Sequence, residues 1–441
     1  MTDRAAPVLA ELESAVRGSR PDRAAIAASE AARASVPLAD VVRTAARAYA
    51  SQYDPRTGPP RALVALSSAA NLLPLMPPRF RPLPILQAVS FAASETKAAQ
   101  PSKPALIVAG EITHLGRSFL FACRAGDRAE AEAIFLGMVG EGRERKMAGD
   151  MLFRAAIEDM GEGGRKLMVA VKSWQLARSL GFKDARTLLR PAVQFLAAGP
   201  RDRTSFETIL AVLGKEWVDL ETLASGGRPL DDAARTRVKG IAAAPDPASG
   251  VAATLALLRD GFAAASIAEG LAVEAAKRVV AASGYDLDAA RALMFAHAAR
   301  FVLTFSRTGE RLYALFQAAL RLRSPEPATT SSRDSAAGEG EELCRLAGEF
   351  DARKPTEAGA RTRAYLEHGY SPPRLLDVLA NYASRDSAIA NGAINLILAD
   401  VCASEFLASK APEIPMALAK MIAASPKDQT AYEAWVPQLP P

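Results

Sequence analysis

The chain has 441 residues, of which 49% are apolar and only 6% aromatic, with 54 Lys and Arg set against 49 Asp and Glu for a net charge of +5. Because the two signs are interspersed along the whole length, the mild basicity is not gathered into a face or tract that would mark a nucleic-acid partner. Three cysteines, Cys123, Cys344 and Cys402, form no CxxC pair, so neither a disulfide framework nor a thiolate metal site is expected, and reduced thiols in a cytoplasmic protein are.

The opening carries Asp3, Arg4, Glu11 and Glu13 in place of the apolar stretch of a secretory signal. Residues 5–16, 22–34 and 38–53 are predicted helices, closed by the Pro/Gly turn at 54–60. Helix resumes over 62–73. Pro74, Pro77, Pro78, Pro82 and Pro84 then force an extended connection to a helix at 85–98. The most apolar stretch, 62–76, falls short of the roughly 20 apolar residues that a membrane span needs.

Pro104 suits a helical first turn, and Val108, Ile112, Leu115, Phe119 and Ala122 recur at steps of three and four, which predicts a helix over 105–124. Glu111 and His114 then lie one turn apart at the border of its buried face. Short helices follow at 128–139, 143–159, 166–180, 184–196, 205–224, 231–243 and 248–259, with caps expected from Asp127, Thr204 and Asp231. Longer helices at 267–282 and 287–305 place His297 on a mostly apolar stripe, and 310–322 completes the group.

Composition shifts at 324–341 to Pro, Ser, Thr and small or charged residues, which reads as a flexible linker or loop. Helices are predicted beyond it at 342–350, 357–368, 374–382, 387–409 and 415–424, with His368 as a C-terminal cap. The organisation expected is a main helical domain at 1–323, within which 1–100 can form an N-terminal subregion, then the linker, then a C-terminal helical region at 342–441. The fold class is all-α, a multi-helix antiparallel bundle or α-α array of about 18–22 helices without significant sheet. No repeat of fixed period is evident.

Two constellations carry chemistry. Gly161, Gly163, Gly164, Arg165 and Lys166 precede an apolar helix, and glycine-rich backbone at a helix start beside basic side chains suits an anion. Glu111-x-x-His114 is half of a dinuclear carboxylate site, but no second such pair exists. What the sequence leaves open is a mononuclear centre built from His114, His297 and either Glu111 or Glu269, suited to iron or manganese. The carboxylates Glu158 and Asp159 close a helix against its dipole, which implies either use by a cation or compensation by a neighbouring base. The expected function is therefore binding of a small-molecule or anionic ligand, or of a protein partner, through an interior or inter-helix pocket. The alternative is a metal-dependent redox enzyme or oxygenase.

Overall fold

The computed structural model describes residues 5–97, 106–140, 142–322 and 338–439. Among these residues it contains 23 α-helices and no strand; one isolated bridge pairs Arg228 with Phe262. The all-α class follows from the sequence pattern, and several boundaries differ for local reasons. Residues 106–111 are not helical, and the helix Ile112–Ala125 starts only where the Glu111 carboxylate caps it. The stretch 205–224 divides into Thr204–Lys215 and Leu220–Ala224 because Trp217 takes a left-handed φ of 49°. Residues 324–337 of the expected linker lie outside the described residues. Its last residues belong to the helix Glu339–Asp351, whose first turn holds Glu339, Glu341 and Glu342, acids favoured at the positive end of the helix dipole.

Four helices form the centre: Arg61–Leu72, Arg165–Ser179, Leu287–Phe305 and Ile394–Ser409. Each packs on the next, and the fourth returns to the first, so they close a ring. Their sequences show why they are inside. Ala62–Ala69, Lys166–Trp174, Ala292–Ala299 and Asn395–Ala403 are buried without interruption, as expected of helices covered on every face rather than along one stripe. Alanine at Ala65, Ala69, Ala170, Ala296 and Ala399, all 1% exposed or less, lets neighbouring backbones approach closely.

Each ring helix packs against an antiparallel neighbour in sequence that lies outside it: Pro82–Glu95, Ala185–Ala198, Ala264–Ala281 and Glu413–Ala424 respectively. Short connections dictate antiparallel hairpins, and the four inner members run the same way, since the first residues of all four line one cavity. An aromatic cluster fills the space toward the C-terminal ends of two of them, where Phe153, Trp174 and Phe305 meet edge to face at centroid separations of 5.2–5.9 Å. No helix among the described residues is long and apolar enough to cross a membrane.

A ring packed through alanine has no room for a larger residue. Ala65→Leu should destabilise the protein by about 1–3 kcal/mol, read as a lower urea midpoint at unchanged m-value; an unaltered midpoint would show that the ring is loosely packed.

Candidate functional site

The first turns of the four ring helices converge on one pocket of about 450 Å³. Val64, Met168, Val169, Met294 and Ile397 give it apolar walls, and no acidic residue lines it. Three of the four helix starts have no side-chain cap, since Pro60, Gly164 and Ala393 occupy the N-cap positions; only Asp286, ahead of Leu287–Phe305, caps its own helix. Positive helix ends without an acidic cap make the pocket favourable to negative charge.

Three arginines reinforce this. Arg61 donates through Nε and Nη2 to Glu95 at 3.1 and 2.8 Å, which leaves Nη1 beside Gly392, 3.6 Å from where a Cβ on that glycine would stand. Arg165 donates through Nη1 to Glu162 at 3.0 Å. Arg291 has no carboxylate partner among the described residues. Burial, then the charges of Arg291 and Arg61, lower the pKa of Arg165, so the three guanidinium groups share one electrostatic space.

The glycine segment read from the sequence divides between this pocket and the core. Gly163, Gly164 and Arg165 line the pocket; Gly161 and Lys166 do not. Gly164 adopts φ 82° with Phe295 packed so closely that a Cβ would stand 2.7 Å from its ring, which fixes the loop against the helix carrying Arg291. Gly161 is buried where a Cβ would meet the Pro200 carbonyl oxygen at 2.0 Å. Lys166 is fully buried and turns to Asp159 at 2.6 Å and the Leu196 carbonyl at 3.2 Å. Asp159 is thus compensated by a base, as is Glu158 by Arg124 and Arg154.

Beneath the pocket lies a buried polar chain. Lys172 Nζ donates to Asp400 Oδ2 at 2.5 Å and lies 3.4 Å from His297 Nε2. His297 Nδ1 meets Glu405 Oε1 at 2.7 Å, and Arg300 Nε donates to both oxygens of Glu405 at 2.9 and 2.8 Å. Asn71 adds a donor to Asp400 at 3.2 Å. An ammonium can only donate and a carboxylate only accept, so the imidazole carries its proton on Nδ1 and presents the Nε2 lone pair to Lys172. Burial, then the Lys172 charge, lower the His297 pKa against the opposing pull of Glu405. Burial alone would raise the Glu405 pKa, but the His297 hydrogen bond and the Arg300 charge hold it below the usual carboxylate range.

The residues read as metal ligands are not brought together. Glu111 accepts from the backbone N–H groups of Thr113 and His114 at 2.9 and 2.8 Å, so its carboxylate serves the helix start. His114 is exposed, whereas His297 is buried. Glu269 is half-buried on Ala264–Ala281 and lines a different cavity, beside Ser409 and Glu413; burial raises its pKa, with Arg300 opposing. Both His297 nitrogens are engaged, and a metal ion at Nε2 would face the Lys172 ammonium. This donor set does not fit iron or manganese, and among the described residues no three His, Cys, Asp or Glu side chains form a group that could hold an ion. Two of the three thiols are also unsuited to nucleophilic work: burial pushes Cys123 up to about 12 and Cys402 well above its ordinary value.

Lys172, Asp400, Glu405, Arg61 and Arg291 escape sequence reasoning because each acquires its role from a distant segment. One local signal does exist: Lys172 ends the apolar run Leu167-Met168-Val169-Ala170-Val171, and Asp400 interrupts the run Leu396-Ile397-Leu398-Ala399 before Val401-Cys402-Ala403.

Removing one member of this chain should be costly. Lys172→Met leaves the Asp400 charge buried and is expected to lower stability by about 3–5 kcal/mol in urea unfolding. For pH the sign is set by His297, whose folded pKa lies below its ordinary value of 6.5. The unfolded chain therefore binds the extra proton, and stability falls as pH drops below about 6.5. Glu405, also lowered from 4.5, adds a loss further toward acid. His297→Asn should flatten the decline in Tm between pH 7 and pH 5; an unchanged decline would place the titrating group elsewhere.

Comparison with protein-family models, curated proteins and solved structures found no match to this chain.

Proposed function

We propose that this protein binds a small anionic molecule with a substantial apolar body in the pocket at the head of the four-helix ring. The observation that carries this reading is the coincidence of Arg61, Arg165 and Arg291 with the starts of four helices around an apolar cavity that no acidic residue lines. The volume lies within the range of about 300–1,000 Å³ typical of small-ligand pockets. Arg61 and Arg165 are already paired with Glu95 and Glu162, so the uncompensated charge is chiefly that of Arg291, and the ligand carries one or two negative charges. Guanidinium forks and helix N-termini both suit a carboxylate or phosphate, and the apolar walls suit an alkyl or ring portion. A cytoplasmic setting accompanies the reading, because all three cysteines are unpaired.

Isothermal titration with octanoate and octyl phosphate tests it. At least one should bind at a single site, more weakly as salt rises. Arg291→Gln should weaken binding roughly tenfold or more without changing the far-UV circular dichroism. No saturable binding by either probe, or full affinity in the Arg291→Gln protein, overturns the proposal.

A further inference from the structure

The ring helix Ile394–Ser409 starts at the anion pocket and ends at a different cavity, of about 530 Å³, which Ser409 and Lys410 line. This volume also falls in the range of about 300–1,000 Å³ typical of small-ligand sites. The helices Asp232–Ala242 and Ala264–Ala281 contribute its walls, together with the turn into Glu413–Ala424. Gly270 permits the close approach of the first two segments, since a Cβ there would stand 3.1 Å from Leu230 and 3.2 Å from Val238. Leu230, Val238 and Val273 make part of the lining apolar.

Unlike the anion pocket, this cavity is lined by charges of both signs. Glu274 accepts from Lys277 at 2.7 Å, and Glu413 lies 3.9 Å from Arg363. Glu269 is half-buried, yet it makes no hydrogen bond or ion pair among the described residues, and neither of its carboxylate oxygens is closed to solvent. Arg235, on the adjoining helix, is exposed and has no ion-pair partner among the described residues. Burial raises the Glu269 pKa, and Arg300 and then Arg235 oppose the rise, so the unpaired acid and the unpaired base share one electrostatic space. The helix ends add poles of the same two signs. Ile394–Ser409 brings its C-terminus, the negative end of its dipole, to the cavity, and Glu413–Ala424 starts there with Pro412 at the N-cap, the positive end. A ligand of one sign would serve one of these groups and repel the other; a ligand carrying both signs serves both.

We propose that this cavity binds a zwitterion with an apolar side chain, a free amino acid or a short peptide, with its ammonium at Glu269 and its carboxylate at Arg235. The site is separate from the anion pocket, and either can hold without the other.

Isothermal titration of L-leucine, L-leucyl-L-leucine and L-leucinamide, the last lacking the carboxylate, tests it on the wild-type protein and on Glu269→Gln and Arg235→Gln. In the wild type, at least one of the two zwitterions should bind at a single site, roughly tenfold tighter than leucinamide. The tighter of the two identifies the source as amino acid or peptide. Glu269→Gln should weaken that zwitterion and leucinamide alike. Arg235→Gln should weaken the zwitterion roughly tenfold and leave leucinamide unchanged. No saturable binding of either zwitterion, leucinamide binding as tightly as both, or full zwitterion affinity in either variant overturns the proposal. Should Glu269→Gln lose its helical circular dichroism, Arg235→Gln, which alters an exposed residue, decides together with the ligand comparison on the wild type.

Discussion

The ion pair between Lys172 and Asp400, with His297 and Glu405 completing the chain, is the constraint on which the centre of this protein depends. Close packing through alanine fixes how near the four buried helices approach, but apolar contact alone leaves more freedom of register than matched charges do. Charges inside such a ring remove that freedom. Lys172 and Arg300 balance Asp400 and Glu405, and the neutral imidazole of His297 bridges the two pairs. Sliding one helix by a turn would leave a charge in a medium of low dielectric without its partner, a far larger penalty than any gain from altered apolar contacts.

The same register sets the pocket. Val169, Met294 and Ile397 reach the cavity, and the residue three positions later on each helix is Lys172, His297 or Asp400. With a rise of about 1.5 Å per residue, the charged layer lies about 4.5 Å deeper along the helix axes. An apolar floor thus separates two polar systems of different kind. Below it, each charge is matched within the protein. Above it, arginines and helix ends leave a positive surplus open to the cavity. The floor thus insulates the charges that hold the ring together from the arginines that line the cavity.

Much of the fold was legible in the sequence because helical periodicity, proline breaks and glycine stops are local. These signals predict the helices around the pocket, and the glycine segment before Arg165 does lie at a helix start. What local pattern could not supply was direction. Arg165 and Lys166 are adjacent, yet one faces the cavity and the other is buried against Asp159. Glu111 and His114 have metal-ligand spacing, but Glu111 precedes the helix and caps it, and His114 lies exposed. The apolar stripe around His297 predicts an interior position, and the residue is buried. Its partner Glu405 lies 108 residues away, a pairing that no periodicity encodes.

The ring draws its members from widely separated parts of the chain, at Arg61–Leu72, Arg165–Ser179, Leu287–Phe305 and Ile394–Ser409. Helical hairpins form early and locally, but ring closure brings together segments more than 300 positions apart, a slow, long-range step. On the ribosome, Lys172 and Arg300 emerge well before Asp400 and Glu405, so a nascent chain holds two unmatched cations until the helix Ile394–Ser409 is made. Both the neutralised core and one wall of the pocket arrive with that same late helix. The order of synthesis therefore makes closure of the pocket and neutralisation of the core a single event.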